Sequence, residues 1–289
     1  MAKFISGDTI RRESVPLTSL RILASSHLRI TALRCIASIF RNFFFSQYRA
    51  AFFPGLIPVT KVDHPLDSKI PFRPGKVNVY LDFVSMWIRS LGFLLGHYDR
   101  RILEPVRNFI ENIDKVYAWA AEVYRKNLST TDRPFYIGSP RFFLIHAVDP
   151  HLMCIPSLHV MVVIRAYTHF AEIIKTLGDE GRFASQTEEL RRDALAITEA
   201  ILYVKQHSVN CISAAMYAMT MFEPGLFPPD EAERFVSDLF PGKEIPDETD
   251  RIEIRGHIIS LYHSFLTQGK AGGNWKEPLL AFLKTHPRK

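Results

Sequence analysis

From Arg101 to Lys126 the apolar residues Leu103, Val106, Ile110, Ile113, Val116, Tyr117 and Ala120 recur at steps of three and four. That spacing draws one stripe along a helix and matches neither face of a strand. It is repeated along most of the chain, and strict apolar–polar alternation is hard to find. Ser157 stands where a cap opens a second helix ending at Gly178, with Val160, Val163, Ile164 and Tyr167 on one face. Ser185 and Glu188 have capping-box spacing and predict a third, very long helix reaching Phe222, stopped by Pro224, Pro228 and Pro229. A polar connector, Pro246–Asp250, separates two more helical stretches. The expected fold class is all-α, a compact helical bundle. Its expected organisation is an N-terminal arm over 1–75, a helical core over 76–223 and a C-terminal helical appendage over 224–289.

Composition narrows the class further. With 47% hydrophobic and 23% charged residues in 289, disorder is excluded, and 14 glycines with 18 prolines exclude a low-complexity chain. Cys35, Cys154 and Cys211 are too few and too scattered for a disulfide framework and suit a reducing compartment.

The net charge of +6 is unevenly distributed. No acidic residue lies between Glu13 and Asp63, whereas Arg21, Arg29, Arg34, Arg41, Arg49 and Lys61 alternate there with Phe40, Phe43, Phe44, Phe45, Phe52 and Phe53. Such a segment suits anionic headgroups or phosphates, and it also suits the cationic outer face of core helices. An anionic membrane surface is the partner expected from it, and nucleic acid is not expected. Arg11, Arg12 and Glu13 precede no clean apolar stretch ending in small residues, so no secretory signal is read. The longest stretch without Asp, Glu, Lys or Arg, Gln206–Phe222, falls short of the roughly 18 residues of a spanning helix. The expected location is cytoplasmic or at a membrane, peripheral or integral.

Three segments carry chemistry. Lys126 and Arg133-Pro134 are separated by six residues at a helix end and loop; Pro156-Ser157-Leu158-His159 puts a hydroxyl and an imidazole at a helix start; Lys205-Gln206-His207 follows later. Two cations, a helix N-terminus and two histidines suffice for phosphoryl transfer without a metal. Cations and free backbone N–H groups hold the phosphate oxygens, one imidazole attacks phosphorus, and the other protonates the leaving oxygen. Each segment alone also reads as ordinary helix punctuation, and His207 alone as a core histidine; their order and spacing favour the chemical reading.

In these three segments the chain resembles the type 2 phosphatidic acid phosphatase and vanadium haloperoxidase superfamily, over roughly residues 126–221. The resemblance implies a phosphatase or phosphotransferase acting on a phosphomonoester, such as a lipid phosphate, with no cofactor. It implies that His207 forms a phosphohistidine, that His159 serves as acid and then base, and that Lys126, Arg133, Ser157, Leu158 and Lys205 bind the phosphate. Two departures stand out. Cys211 occupies the place of the family's Asp four residues after the third-motif histidine, and Ala200-Ile201 replaces a Ser-Arg or Ser-Thr pair. A thiol is a poor acceptor for holding an imidazole tautomer, so a weak or inactive phosphate-binding protein is the alternative expectation. His146, His151, Cys154 and His159 lie close in sequence, but their spacing fits no familiar zinc pattern and Pro150 and Pro156 break any shared helical face.

Overall fold

The computed structural model describes residues 9–136, 138–242 and 244–288, and it is helical almost throughout. Helices α1 (Val15–Ala24), α2 (Arg29–Ile39) and α3 (Ser46–Phe52) are followed by the short α4 (Val77–Tyr80), then α5 (Asp82–His97) and α6 (Leu103–Tyr124). The stripe read in the sequence is the buried face of α6: Val106, Ile110, Ile113, Val116, Tyr117 and Ala120 are all inaccessible. After α7 (Pro140–Val148) comes α8 (Leu158–Thr176), then α9 (Ala184–Tyr203) and α10 (Val209–Phe222).

Helix α8 is the centre of the bundle. It packs against α5, α6, α9 and α10, and its first two turns (Leu158-His-Val-Met-Val-Val-Ile164) are apolar nearly all round, which only a helix enclosed on every side tolerates. The C-terminal helices α11 (Pro229–Ser237), α12 (Glu248–Gly272) and α13 (Glu277–Lys284) close the far side, with α12 running along α10. Ser213 Oγ donates to the Ile258 carbonyl at 2.9 Å and Tyr217 Oη to the Trp275 carbonyl at 2.8 Å, so the polar groups on this seam are satisfied.

The N-terminal segment folds against the same core. Helix α1 lies on α5 and α2 on α6, with Ile22, Ala32 and Cys35 buried. The corner between α1 and α2 bends the chain by 118°. It is held by the Arg29 guanidinium, which donates to the last carbonyls of α1, Leu23 at 2.6 Å and Ala24 at 3.1 Å. One buried apolar cluster runs from Ile10 to Leu283 through all three sequence segments.

Two three-residue strands, β1 (Val59–Lys61) and β2 (Leu128–Thr130), pair in parallel with Thr60 opposite Ser129. They matter because β2 orders the turn before α8. The Ser129 carbonyl accepts from Cys154 N–H at 3.2 Å, and Ser129 Oγ accepts from Ile155 N–H at 2.7 Å.

The long helix expected from Ser185 to Phe222 is two helices. It breaks at residues 204–208, where Lys205 takes a left-handed backbone (φ 56°) and the amides of Gln206 and His207 turn back onto the Ile201 carbonyl. Ser208 then caps α10, accepting from Asn210 N–H at 3.4 Å. The half-buried Asp67 carboxylate accepts from Val209 N–H at 2.9 Å. The capping box does not form either. Helix α9 starts at Ala184, and Ser185 Oγ bonds the side chain of Gln186.

Candidate functional site

The break between α9 and α10 and the N-terminus of α8 face each other. His207, on the break, and His159, in the first turn of α8, approach edge to face with ring centroids 5.4 Å apart. His151 is a third neighbour, its ring centroid 6.4 Å from that of His207. His151 is in a left-handed backbone (φ 58°), as is Lys205. Two of the three described non-glycine residues with positive φ thus flank one histidine, a concentration of strain of the kind that functional sites hold.

Each ring has a distinct setting. His159 packs against two aromatic rings, Tyr80 with centroids 4.5 Å apart and Phe83 at 4.2 Å. Burial, then the neighbouring His207, pushes its affinity for a proton well below that of an ordinary imidazole. His207 is 8% exposed, and burial lowers its pKa to about 4 against a smaller opposing effect of the Cys154 backbone. Both rings are therefore neutral near pH 7, with a free lone pair. The Nδ1 of His207 and the hydroxyl of the fully buried Ser157 have no hydrogen-bond partner among the described residues. Buried orphans of this kind are uncommon and mark places where something else completes the bonding. Ser157 is the N-cap residue of α8 but makes no side-chain cap bond. The first-turn amides of Leu158, His159 and Val160 have no intrahelical acceptor available to them, as at any helix start.

Arg133 joins this group. Its guanidinium donates to the Gln206 side chain at 3.3 Å and to the Asp149 carbonyl at 3.4–3.5 Å, long bonds that a better acceptor would displace. Its charge lowers the pKa of His146, second to burial, and is felt at Tyr80. The Asp149 carboxylate accepts from His151 N–H and Gln47 Nε2, each at 2.9 Å, while burial raises its pKa.

The remaining sequence-derived candidates are placed differently. Lys205 Nζ is bound to the backbone carbonyls of Asp67 and Ile70, turned towards the segment that braces the helix break. Lys126 is exposed, just past the end of α6, and makes no ion pair among the described residues. Leu158 is buried beside His159, so only its backbone N–H is available for a ligand. Cys211 is fully buried and adjoins Cys154, whose sulfur lies 3.7 Å from His151 Nε2. Among the described residues, His146, His151, Cys154 and His159 do not converge into a metal-holding group.

Sequence reading missed Tyr80 and Phe83, Gln206 as the partner of Arg133, and Asp67 as the brace of the break. All four act across 73 to 142 positions, and no local periodicity signals them. An apolar groove of about 270 Å³, lined by Ile36, Phe40, Phe43, Trp87 and Leu158, ends at His159.

Compared with protein-family models, with curated proteins and with solved structures, the chain matches none of them.

Proposed function

We propose that this chain is a phosphatase or phosphotransferase acting on a phosphomonoester through a phosphohistidine, with a core of the type 2 phosphatidic acid phosphatase kind. One observation carries the reading: the 5.4 Å approach of His207 to His159 at a helix N-terminus, where a hydroxyl and a ring nitrogen are buried and unpartnered. A phosphate at the N-terminus of α8, beside the two rings, accepts from Ser157 Oγ and the first-turn amides, and its negative charge suits the positive end of the helix dipole. Arg133 exchanges its long bonds for a charge-assisted pair with the same phosphate. Neutral His207 attacks phosphorus; the P–O bond breaks, and the leaving oxygen takes its proton from His159. His159 enters protonated because the incoming anion offsets the burial that otherwise lowers its basicity. It then removes a proton from water, or from an acceptor hydroxyl, as that oxygen displaces His207. The apolar groove reaching His159 suits a leaving group with a hydrocarbon portion, as in a lipid phosphate.

The test is hydrolysis of phosphatidic acid and p-nitrophenyl phosphate by the wild type and by His207→Ala. Equal rates for the two proteins would end the proposal. A second reading has its own support: among the described residues no carboxylate meets His207 Nδ1, and Lys205 Nζ is held by the carbonyls of Asp67 and Ile70. On that reading the chain binds phosphate or anionic lipid without turnover. Cys211→Asp separates the two, raising the hydrolysis rate if the pocket is otherwise competent. Silence of both proteins with retained vanadate binding favours the binder.

A further inference from the structure

The outward faces of α1 and α2 are apolar, the reverse of what a helix packed on one side normally presents to water. On α1 the buried positions are Thr18 and Ile22, and the opposite side carries Leu17, Leu20 and Leu23, with Leu20 65% exposed. On α2 the buried positions are Ala32 and Cys35, and Ile30, Leu33 and Phe40 point away, the last 60% exposed. Phe45, Phe52 and Phe53 continue the surface along the π-helical turn and α3. Of the 17 large hydrophobic residues exposed among the described residues, 11 fall within Leu17–Leu56, so this is one surface and not scattered single side chains.

Charge accompanies it. Arg21, Arg34, Arg41 and Arg49 are exposed beside these side chains and form no ion pair among the described residues, and no acidic residue occurs from 14 to 62. We propose that the α1–α3 face lies in the plane of an anionic membrane, its leucines and phenylalanines among the acyl chains and its arginines at the headgroups. A protein partner of ordinary composition would have to bring a matching apolar face with acidic residues around it, whereas an anionic leaflet supplies both chemistries everywhere.

The geometry favours lying on the bilayer over crossing it. The opposite faces of α1 and α2 are occupied by α5 and α6, and the chain turns through 118° at the Arg29 corner. The inner faces hold polar groups already paired within the protein, Asn42 with Arg125 and Gln47 with Asp149. Only the outer stripe is therefore free for lipid. Phe40 belongs both to this surface and to the groove that ends at His159, so the docked orientation turns the mouth of the groove towards the bilayer. The docking surface stands whether or not the site turns over phosphate.

The experiment is flotation of the full chain with vesicles of phosphatidylcholine alone or mixed with phosphatidylserine. The expected result is association with the mixed vesicles, weakened by salt and released by alkaline carbonate. Arg34→Gln and Arg41→Gln should each reduce that association about fivefold. Leu20→Glu, Leu33→Glu and Phe40→Glu should each reduce it about tenfold or more, with circular dichroism unchanged because these side chains lie outside the buried core. The proposal is overturned if the wild type floats with neither vesicle, or if the glutamate variants float like the wild type. A carbonate-resistant chain would mean a span instead. A lipid-indifferent dimer that the glutamate variants dissociate would mean that a second copy covers the face.

Discussion

The buried imidazole of His207 makes stability depend on pH in a calculable way. In the folded chain its pKa is about 4, against 6.5 when solvated, with burial as the main cause. Between those values the unfolded chain holds a proton that the folded chain does not, so stability falls as pH falls from about 6.5 towards 4. One pKa unit corresponds to about 1.4 kcal/mol, and the titration curves give a loss of about 2 kcal/mol from this one ring between pH 7 and pH 5. His207→Gln removes the titration while keeping a polar side chain and the backbone amide that bonds Ile201. Urea unfolding of both proteins at pH 7 and pH 5 measures the difference. The wild type should lose about 2 kcal/mol more than the variant over that interval. It will not be the only acid-sensitive group, because burial also lowers His257 to about 4 and His169 to about 3, and those contributions remain in the variant. Saturating phosphate should flatten the wild-type dependence, since an anion against the ring favours its protonated form. Identical pH dependence in the two proteins would refute the placement of a neutral, water-excluded imidazole at position 207.

Other perturbations follow from particular contacts. Ser157→Ala deletes a buried, unpartnered hydroxyl, so thermal unfolding of the ligand-free protein should show a neutral or stabilising change while vanadate affinity falls. Lys205→Ala leaves the carbonyls of Asp67 and Ile70 without their donor and should cost about 2–3 kcal/mol by denaturant titration, with loss of activity through the displaced break and not through lost phosphate contact. Gly92 on α5 lies where a Cβ would overlap the Thr18 side chain of α1, so Gly92→Ala should cost about 1–3 kcal/mol and speed hydrogen exchange in residues 15–24.

How much of this was readable in the chain depends on how local the cause is. The stripe on α6 was readable because a helix repeats its environment every three to four residues, and seven side chains report the same face. The break at 204–208 was not. Residues 185–222 carry no proline or glycine to mark it, and it is imposed from outside by Asp67, 142 positions before Val209, and by the left-handed turn at Lys205. The same distance effect separated Lys205 from the histidines. For Lys205 the spacing in sequence is compatible with a shared pocket, but the backbone carbonyls of Asp67 and Ile70 hold its ammonium.

Periodicity and composition alone determined that the chain is a helical bundle, that its N-terminal segment is basic and aromatic, and that serine and histidine meet at the start of α8. Those properties depend on neighbours within a few positions, where the geometry of a helix leaves little choice. Tertiary packing alone decided that His207 leaves the helix to face His159, that Ser157 Oγ and His207 Nδ1 are buried without a hydrogen-bond partner among the described residues, and that the apolar stripes of α1 and α2 point outwards. Each of these depends on which surface of an element its neighbours cover, and that is set by contacts between segments far apart along the chain.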